Sequence, residues 1–292
     1  MASLGCGGAV HVKFGKIVKL NAVSAKVATV AAAIDKETGN ISYVLEELKN
    51  EGRGGIDSYL TAGGDPNIDT TAKAIKLLDN LGAASLSLGN LPCLTLWLMA
   101  LSFRQPLQGH SRMAQLWTLW LPQIKAPVVL FVYYNQLLRR GVEVFVKEAK
   151  AAGASGLVVP DLPLEETDRL RQLTAATGLE LVLLTTPTTP AERMISITEA
   201  SQGFVYLVSL TGVTGTRSKV EARVEKLLKS IKAITEKAVC VGFGISNGPQ
   251  ALQIAEWVHW HYSIGSAVVK LLGESGTPEQ GLQAVERIYI RC

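Results

Sequence analysis

Phe204-Val-Tyr-Leu-Val-Ser-Leu-Thr-Gly-Val-Thr-Gly-Thr-Arg217 is the stretch that decides the fold. An apolar, β-branched run ends in a Gly-x-x-Gly loop with hydroxyls and an arginine, and a helix-period segment follows from Lys219. Such a strand delivers its loop to the mouth of a site. Glycines there let backbone N–H groups approach an anion with no Cβ in the way. Two later stretches repeat the theme: Val239–Ser246 (Val-Cys-Val-Gly-Phe-Gly-Ile-Ser) and Ile264–Lys270 (Ile-Gly-Ser-Ala-Val-Val-Lys). A single Gly-x-x-Gly is usually just a turn. Three glycine-rich strand ends, late in a chain of βα repeats, point to a phosphate cradle of the kind built after strands 7 and 8 of a (β/α)8 barrel.

Outward from that stretch the alternation is regular. Upstream lie an apolar strand at Pro127–Tyr134, a helix at Val142–Ala152 stopped by Gly153, a strand at Gly156–Val159 and a helix at Leu164–Ala176. Strand Glu180–Thr185 and helix Ala191–Ala200 lead into Phe204–Ser209. Downstream come helix Val220–Thr235, strand Ala238–Val241 and helix Pro249–Glu256. Near the start, Ile41–Lys49 has helical periodicity suited to capping the bottom of a barrel. Tyr59–Pro66 reads as a strand end and loop, followed by a helix from about Asp69 to Leu81. Strict alternation means parallel strands with crossover helices. With eight units and no dinucleotide fingerprint, the expectation is α/β, a single-domain (β/α)8 TIM barrel over residues 41–292.

Composition narrows the function classes. A chain of 292 residues, 48% apolar, fits one barrel plus an N-terminal extension. The net charge of +4, without a basic stripe, gives no reason to expect a nucleic-acid partner. The longest apolar run, Leu91–Phe103, is too short for a membrane span. Cys6, Cys93, Cys240 and Cys292 are scattered and have no Cys-x-x-Cys, as free thiols of a reducing compartment would be. Residues 1–40 open with an acid-free, basic arm (Lys13, Lys16, Lys19 and Lys26 precede the first acid, Asp35). That pattern suits a transit peptide to an organelle, a chloroplast if the chain is of plant type; the alternative is a disordered leader on a cytoplasmic protein.

Several motifs together carry a family resemblance. Tyr-Leu-Thr-Ala-Gly-Gly-Asp-Pro (59–66), Val-Val-Pro-Asp-Leu-Pro-Leu-Glu-Glu (158–166), Gly-Val-Thr-Gly (212–215), Gly-Phe-Gly-Ile-Ser (242–246) and Gly-Ser-Ala (265–267) resemble the tryptophan synthase alpha chain family. The match is to its plant type, which includes free-standing indole-3-glycerol-phosphate lyases, and it covers roughly Ile41 to Gly276. The resemblance implies retro-aldol cleavage of indole-3-glycerol phosphate to indole and glyceraldehyde 3-phosphate. It places phosphate on Gly215, Gly244, Gly265 and Ser266, Tyr206 in the substrate pocket, Tyr133 and Asn135 at its rim, and Asp161 at the end of strand 4. It implies no cofactor or metal in this chain and, as partner, a pyridoxal-phosphate-dependent tryptophan synthase beta subunit.

The chemistry needs a proton delivered to indole C3 and a base that draws on the ring N–H, work for two carboxyl groups in different environments. In the family these are a Glu in Ile-Glu-Leu-Gly on strand 2 and an Asp in the following Ser-Asp-Pro-Leu-Ala-Asp-Gly-Pro loop. Here strand 2 reads Leu86-Ser87-Leu88-Gly89, so Ser87 occupies the acid position, and no Asp or Glu occurs between Ala83 and Ile124. The same segment holds Trp97, Trp117 and Trp120, three of five tryptophans, in no clear period. With permissible codons read from the third base, Cys93–Leu119 spells Ser-Asp-Pro-Leu-Ala-Asp-Gly-Pro and the helix after it. The same shift turns Ala84–Gly89 into a strand ending in Ile-Ile-Glu-Leu-Gly. Gly54–Ser58 shifts to Val-Ala-Leu-Ile-Pro, and Val258–Tyr262 stands where the family has a glycine-rich strand 8. On this reading strand 2 and its following loop and helix are aberrant through local frame changes. The pair His259 and His261 is then a by-product, not a metal site. The leading expectation is a lyase impaired at its acid and base. The alternatives are a catalytically inactive barrel that binds a phosphate ligand or a partner, and a phosphosugar epimerase or isomerase. The absence of a metal-ligating His/Asp set argues against the epimerase.

Overall fold

The computed structural model describes residues 40–52, 54–61, 66–89, 121–208, 222–242 and 261–290. Eight parallel strands close into a barrel in sequence order. They are β1 (Gly55–Thr61), β2 (Ser85–Gly89), β3 (Val128–Phe131), β4 (Gly156–Val158), β5 (Glu180–Thr185), β6 (Phe204–Val208), β7 (Ala238–Gly242) and β8 (His261–Ile264). Closure is made by β1 on β8, with Asp57 in register with Ser263. The β2 backbone pairs regularly, with β1 from Asp57–Ser85 to Thr61–Gly89 and with β3 from Leu86–Val128 to Gly89–Phe131. The strand expected to be aberrant is thus regular in its backbone. The segment 90–120, the glycine loops bearing Gly215 and Gly244, the expected helix at Pro249–Glu256 and the extension 1–39 lie outside the described residues.

Period-2 alternation sorts each strand between two cores. Outward-facing Leu60, Leu86, Leu88, Leu130, Leu157, Leu181, Leu207 and Ile264 pack beneath the helix ring. Inward-facing Val129, Val158, Val182, Phe204, Tyr206, Ala238 and Cys240 fill the barrel itself. Helix α1 (Ile41–Asn50) plugs the barrel floor as its periodicity predicts: Ile41 and Leu45 join the inner core. Asn40 caps it through Oδ1, and Glu180 at the foot of β5 accepts from the Ser42 amide at 3.1 Å and from its hydroxyl. A Cβ at Gly156 would stand 2.6 Å from both Ile41 Cδ1 and the Glu180 carbonyl oxygen, so the plug sits on bare backbone there.

Two boundaries differ from the sequence reading. The strand expected to run to Tyr134 stops at Phe131, and a short helix, α2, occupies Tyr134–Arg140. Asp161 Oδ1 takes the Tyr134 amide at 2.9 Å, supplying from the next strand's loop the cap that Tyr133 does not provide. The helix expected from Leu164 begins instead as a 3-10 turn at Leu164–Glu166. Buried Thr167 donates to the Leu164 carbonyl at 2.6 Å, and the α-helix starts at Asp168. Two C-terminal helices, α3 (Ser266–Glu274) and α4 (Pro278–Ile290), complete the ring on the far side.

Candidate active site

The upper part of the barrel interior is aromatic. Tyr59 on β1 meets Phe131 on β3 edge-on, with ring centroids 5.7 Å apart and planes at 89°. Phe131 meets Tyr206 on β6 at 6.0 Å and 69°. Edge-to-face contacts of this kind stabilise by roughly 0.5–1.5 kcal/mol beyond burial. Glycines at facing positions make the room. A Cβ at Gly89 would fall 2.2 Å from the Tyr59 hydroxyl, and one at Gly242 would fall 2.0 Å from the Tyr206 hydroxyl. Burial, with the nearby Cys240 and Asp57 adding to it, pushes the Tyr206 phenol well above its ordinary range despite a hydrogen bond with Ser263. Tyr206 therefore stays a neutral, polar-tipped wall.

Beside this floor a cleft of about 680 Å³ opens among the loops that follow β3 to β6. Phe131, Val159, Leu184 and Val208 form its apolar wall, and Tyr133, Asp161 and Thr186 bring polar edges. Of the residues the resemblance selects, Tyr206 is thus buried against the cleft's Phe131, while Tyr133 and Asp161 line the cleft. Asn135 is exposed in α2 and is not among the lining residues. Asp161 has an evident local task as well, the capping bond to Tyr134.

Gly265 and Ser266 stand where β8 turns into α3. Gly265 is the N-cap and Ser266 the first residue of a nine-residue helix, both half-buried. No side chain caps this end. First-turn amides and the positive end of the helix dipole favour an anion at such a place. A Cβ at Gly265 would lie 3.0 Å from Tyr59 Cβ, so the helix start abuts the aromatic floor. Gly215 and Gly244 lie outside the described residues. Among the described residues no three His, Cys, Asp or Glu side chains are grouped to hold a metal, and no helix is long and apolar enough to cross a membrane.

Deeper in the barrel, the β8–β1–β2 side is polar. Ser87, in the acid position, is fully buried and donates to Asp57 Oδ1 at 2.9 Å. Ser85 donates to the same oxygen at 2.7 Å, and Ser263 donates to Oδ2 at 2.8 Å. Burial raises the Asp57 carboxyl above its ordinary range, and the bonds from Ser85, Ser263 and Ser87 offset part of that. Sequence reasoning missed Asp57 together with Tyr59 and Phe131 as site residues. The available signal was period 2: Asp57, Tyr59 and the two β2 serines fall on one face by alternation from the outward leucines.

Comparison with known proteins places this geometry. Residues 99–291 match the family described as tryptophan synthase alpha chain. The tryptophan synthase alpha chain of Arabidopsis thaliana is 48% identical over 260 residues, covering 85% of this chain and 92% of that one. The corresponding chain of Synechocystis is 46% identical over 252 residues, covering 84% and 95%. Among solved structures, Mycobacterium tuberculosis tryptophan synthase superposes with a TM-score of 0.71 at 26% identity, over 87% of this chain and 98% of that one. A chain of the tryptophan synthase a2b2 complex of Pyrococcus furiosus does so with 0.68 at 30% identity, over 81% and 96%.

Proposed function

Because this chain belongs to the tryptophan synthase alpha chain family, we infer that the mouth of its barrel receives indole-3-glycerol phosphate and releases indole and glyceraldehyde 3-phosphate. Its role is that of the alpha subunit in tryptophan biosynthesis, a carbon–carbon lyase. The observation that carries the substrate assignment is the contact between Tyr59 and Gly265, which joins a flat aromatic floor to a helix N-terminus. An indole ring lies against Tyr59, Phe131 and Tyr206, with Tyr133 and Asn135 at the rim and Asp161 beyond β4. The phosphate takes the amides at Gly265 and Ser266, together with Gly215 and Gly244. Holding both ends fixes the bond to be cleaved between them, and fixed geometry is a large part of any such rate enhancement.

The reaction uses no cofactor held by this chain. The Pyrococcus furiosus relative is described as an a2b2 complex, which supports pairing of this chain with a pyridoxal-phosphate-dependent beta subunit. The basic N-terminal arm and the Arabidopsis thaliana relative support a plastid location. A second reading, a barrel that binds but does not cleave, is favoured by one observation: a serine in the acid position.

Calorimetry with indole-3-propanol phosphate, an uncleavable analogue, tests the substrate site. Binding is expected in the micromolar to millimolar range, about 4–8 kcal/mol. In Gly265→Val, a side chain pressed against Tyr59 at the anion site should abolish it. Undiminished binding by that variant would contradict the assignment. Indole release from indole-3-glycerol phosphate separates the lyase from the binding-only reading.

A further inference from the structure

We propose that the cleft above β4 and β5 holds a second chamber that selects the substrate by its ring, taking a neutral substituent on carbon 5 or 6 of the indole. The proposal rests on the substrate-site reading above. Three observations lead to it. The cleft is lined from both sides of the barrel wall. Phe131, Leu184 and Val208 pack on the inner core, whereas Val159, Leu183 and Ile197 belong to the layer beneath the helix ring. The space therefore runs from the aromatic floor over the ends of β4 and β5 and in below the helix Ala191–Ala200.

The second observation is size. The cleft measures about 680 Å³, and sites of about 300–1,000 Å³ hold whole drug-sized ligands. Here it receives only the bicyclic ring, because the phosphate is placed at Gly265. The third is direction. Closure in sequence order puts β4 and β5 across the barrel from β8 and β1. The glycerol chain leaves carbon 3 of the ring toward Gly265 at the end of β8. Carbons 5 and 6 form the edge of the ring remote from carbon 3, so they face β4 and β5.

The walls decide what kind of group fits. Val159, Leu183 and Ile197 are buried and apolar, which favours burying an apolar substituent. Arg193 closes the outer end. Its two terminal nitrogens donate to the two Glu165 oxygens, one of them at 2.8 Å, and tie the helix Ala191–Ala200 to the 3-10 turn Leu164–Glu166. The guanidinium charge is thereby matched within the protein. An anionic substituent would meet Asp161 on the same wall, and a cationic one would lose its hydration against Leu183 and Ile197. The turn between β5 and the helix is closed on itself, with the Thr186 amide on Thr189 Oγ1 and the Thr189 amide on the Thr186 carbonyl, both at 3.0 Å. The chamber is therefore preformed on that side.

The test is calorimetry on the full chain with indole-3-propanol phosphate and its 5-methoxy and 6-methoxy derivatives. At least one methoxy derivative should bind as tightly as the unsubstituted probe, or up to roughly tenfold tighter. Ile197→Phe fills the chamber and should weaken that derivative by roughly tenfold or more while sparing the unsubstituted probe. Because Ile197 is buried, the half-exposed Arg193 supplies a second variant. Arg193→Ala unlatches the outer end and should let the matching benzyloxy derivative bind roughly tenfold better than it binds the parent. A parent that binds both methoxy derivatives roughly tenfold or more weaker than the unsubstituted probe would overturn the chamber. So would an Ile197→Phe variant that binds all three ligands as the parent does. A parent that fails to bind even the unsubstituted probe is a different failure, and it overturns the substrate site itself.

Discussion

The two sides of the barrel interior are closed by the same backbone pairing and filled by opposite chemistry. On β3 to β7 the inward residues are mainly apolar and include Val129, Phe131, Val158, Val182, Leu184, Phe204, Tyr206, Ala238 and Cys240, with Glu180 at the foot of β5 bonded to Ser42. On β8, β1 and β2 they include Ser263, Asp57, Ser85 and Ser87. Both sides keep the same outward face, with Leu60, Leu86, Leu88, Tyr262 and Ile264 as buried as Leu157, Leu181 and Leu207. The comparison teaches that barrel closure depends on the outer layer and on strand pairing. The inner layer can exchange hydrocarbon for hydrogen bonds, provided each buried polar group finds a partner. Asp57 accepts from three hydroxyls and meets that condition.

The largest expected effect breaks the apolar side. Phe204 is fully buried in the inner core beside Ile41 of the floor plug. Phe204→Ala should cost about 3–5 kcal/mol, read from the urea midpoint at constant slope. A loss below about 1 kcal/mol, the size of an ordinary substitution, would mean the interior is not packed there.

The polar side should respond to pairing and not to volume. Asp57→Ala strands three buried hydroxyls and should cost about 1–3 kcal/mol. Asp57→Leu combined with Ser85→Ala, Ser87→Ala and Ser263→Ala removes the three donors and the acceptor together and should be near neutral. If the quadruple variant is the worse of the two, the self-satisfied cluster is not what holds this side.

A smaller effect is the pH dependence of stability. The Asp57 carboxyl is raised on folding. Between the unfolded and folded pKa values the native chain therefore holds a proton that the unfolded chain has lost. The stability tied to that proton is fully present below the unfolded pKa. It declines as pH rises through the window and is gone above the folded pKa. Urea midpoints of the parent should fall relative to Asp57→Asn over that window. Parallel curves would show that Asp57 does not hold its proton in the fold.

Much of this was legible in the chain. The outward leucines and the strand–helix alternation carry the barrel, and the glycine-rich strand ends mark its mouth. The Ile41–Lys49 periodicity marks the floor plug. The short helix at Tyr134–Arg140 was not legible, because its cap, Asp161, comes from another strand. Asp57 was not either. Its meaning depends on Ser85, Ser87 and Ser263, which lie up to 206 positions away and meet it only when β8 closes on β1. The stretches Gly54–Ser58 and Ala84–Gly89 supply Asp57, Ser85 and Ser87. They join Ser263 of β8 in one cluster that no single stretch could announce.

The pH dependence of stability turns on the protonation state of Asp57. Carbon-13 NMR of the aspartate carboxyls, with Asp57→Asn used to assign the signal, follows it directly. The carboxyl is expected to stay protonated well above the ordinary value of about 3.9 and to titrate with the decline in stability. A carboxyl that ionises at the ordinary value in the folded chain would contradict it.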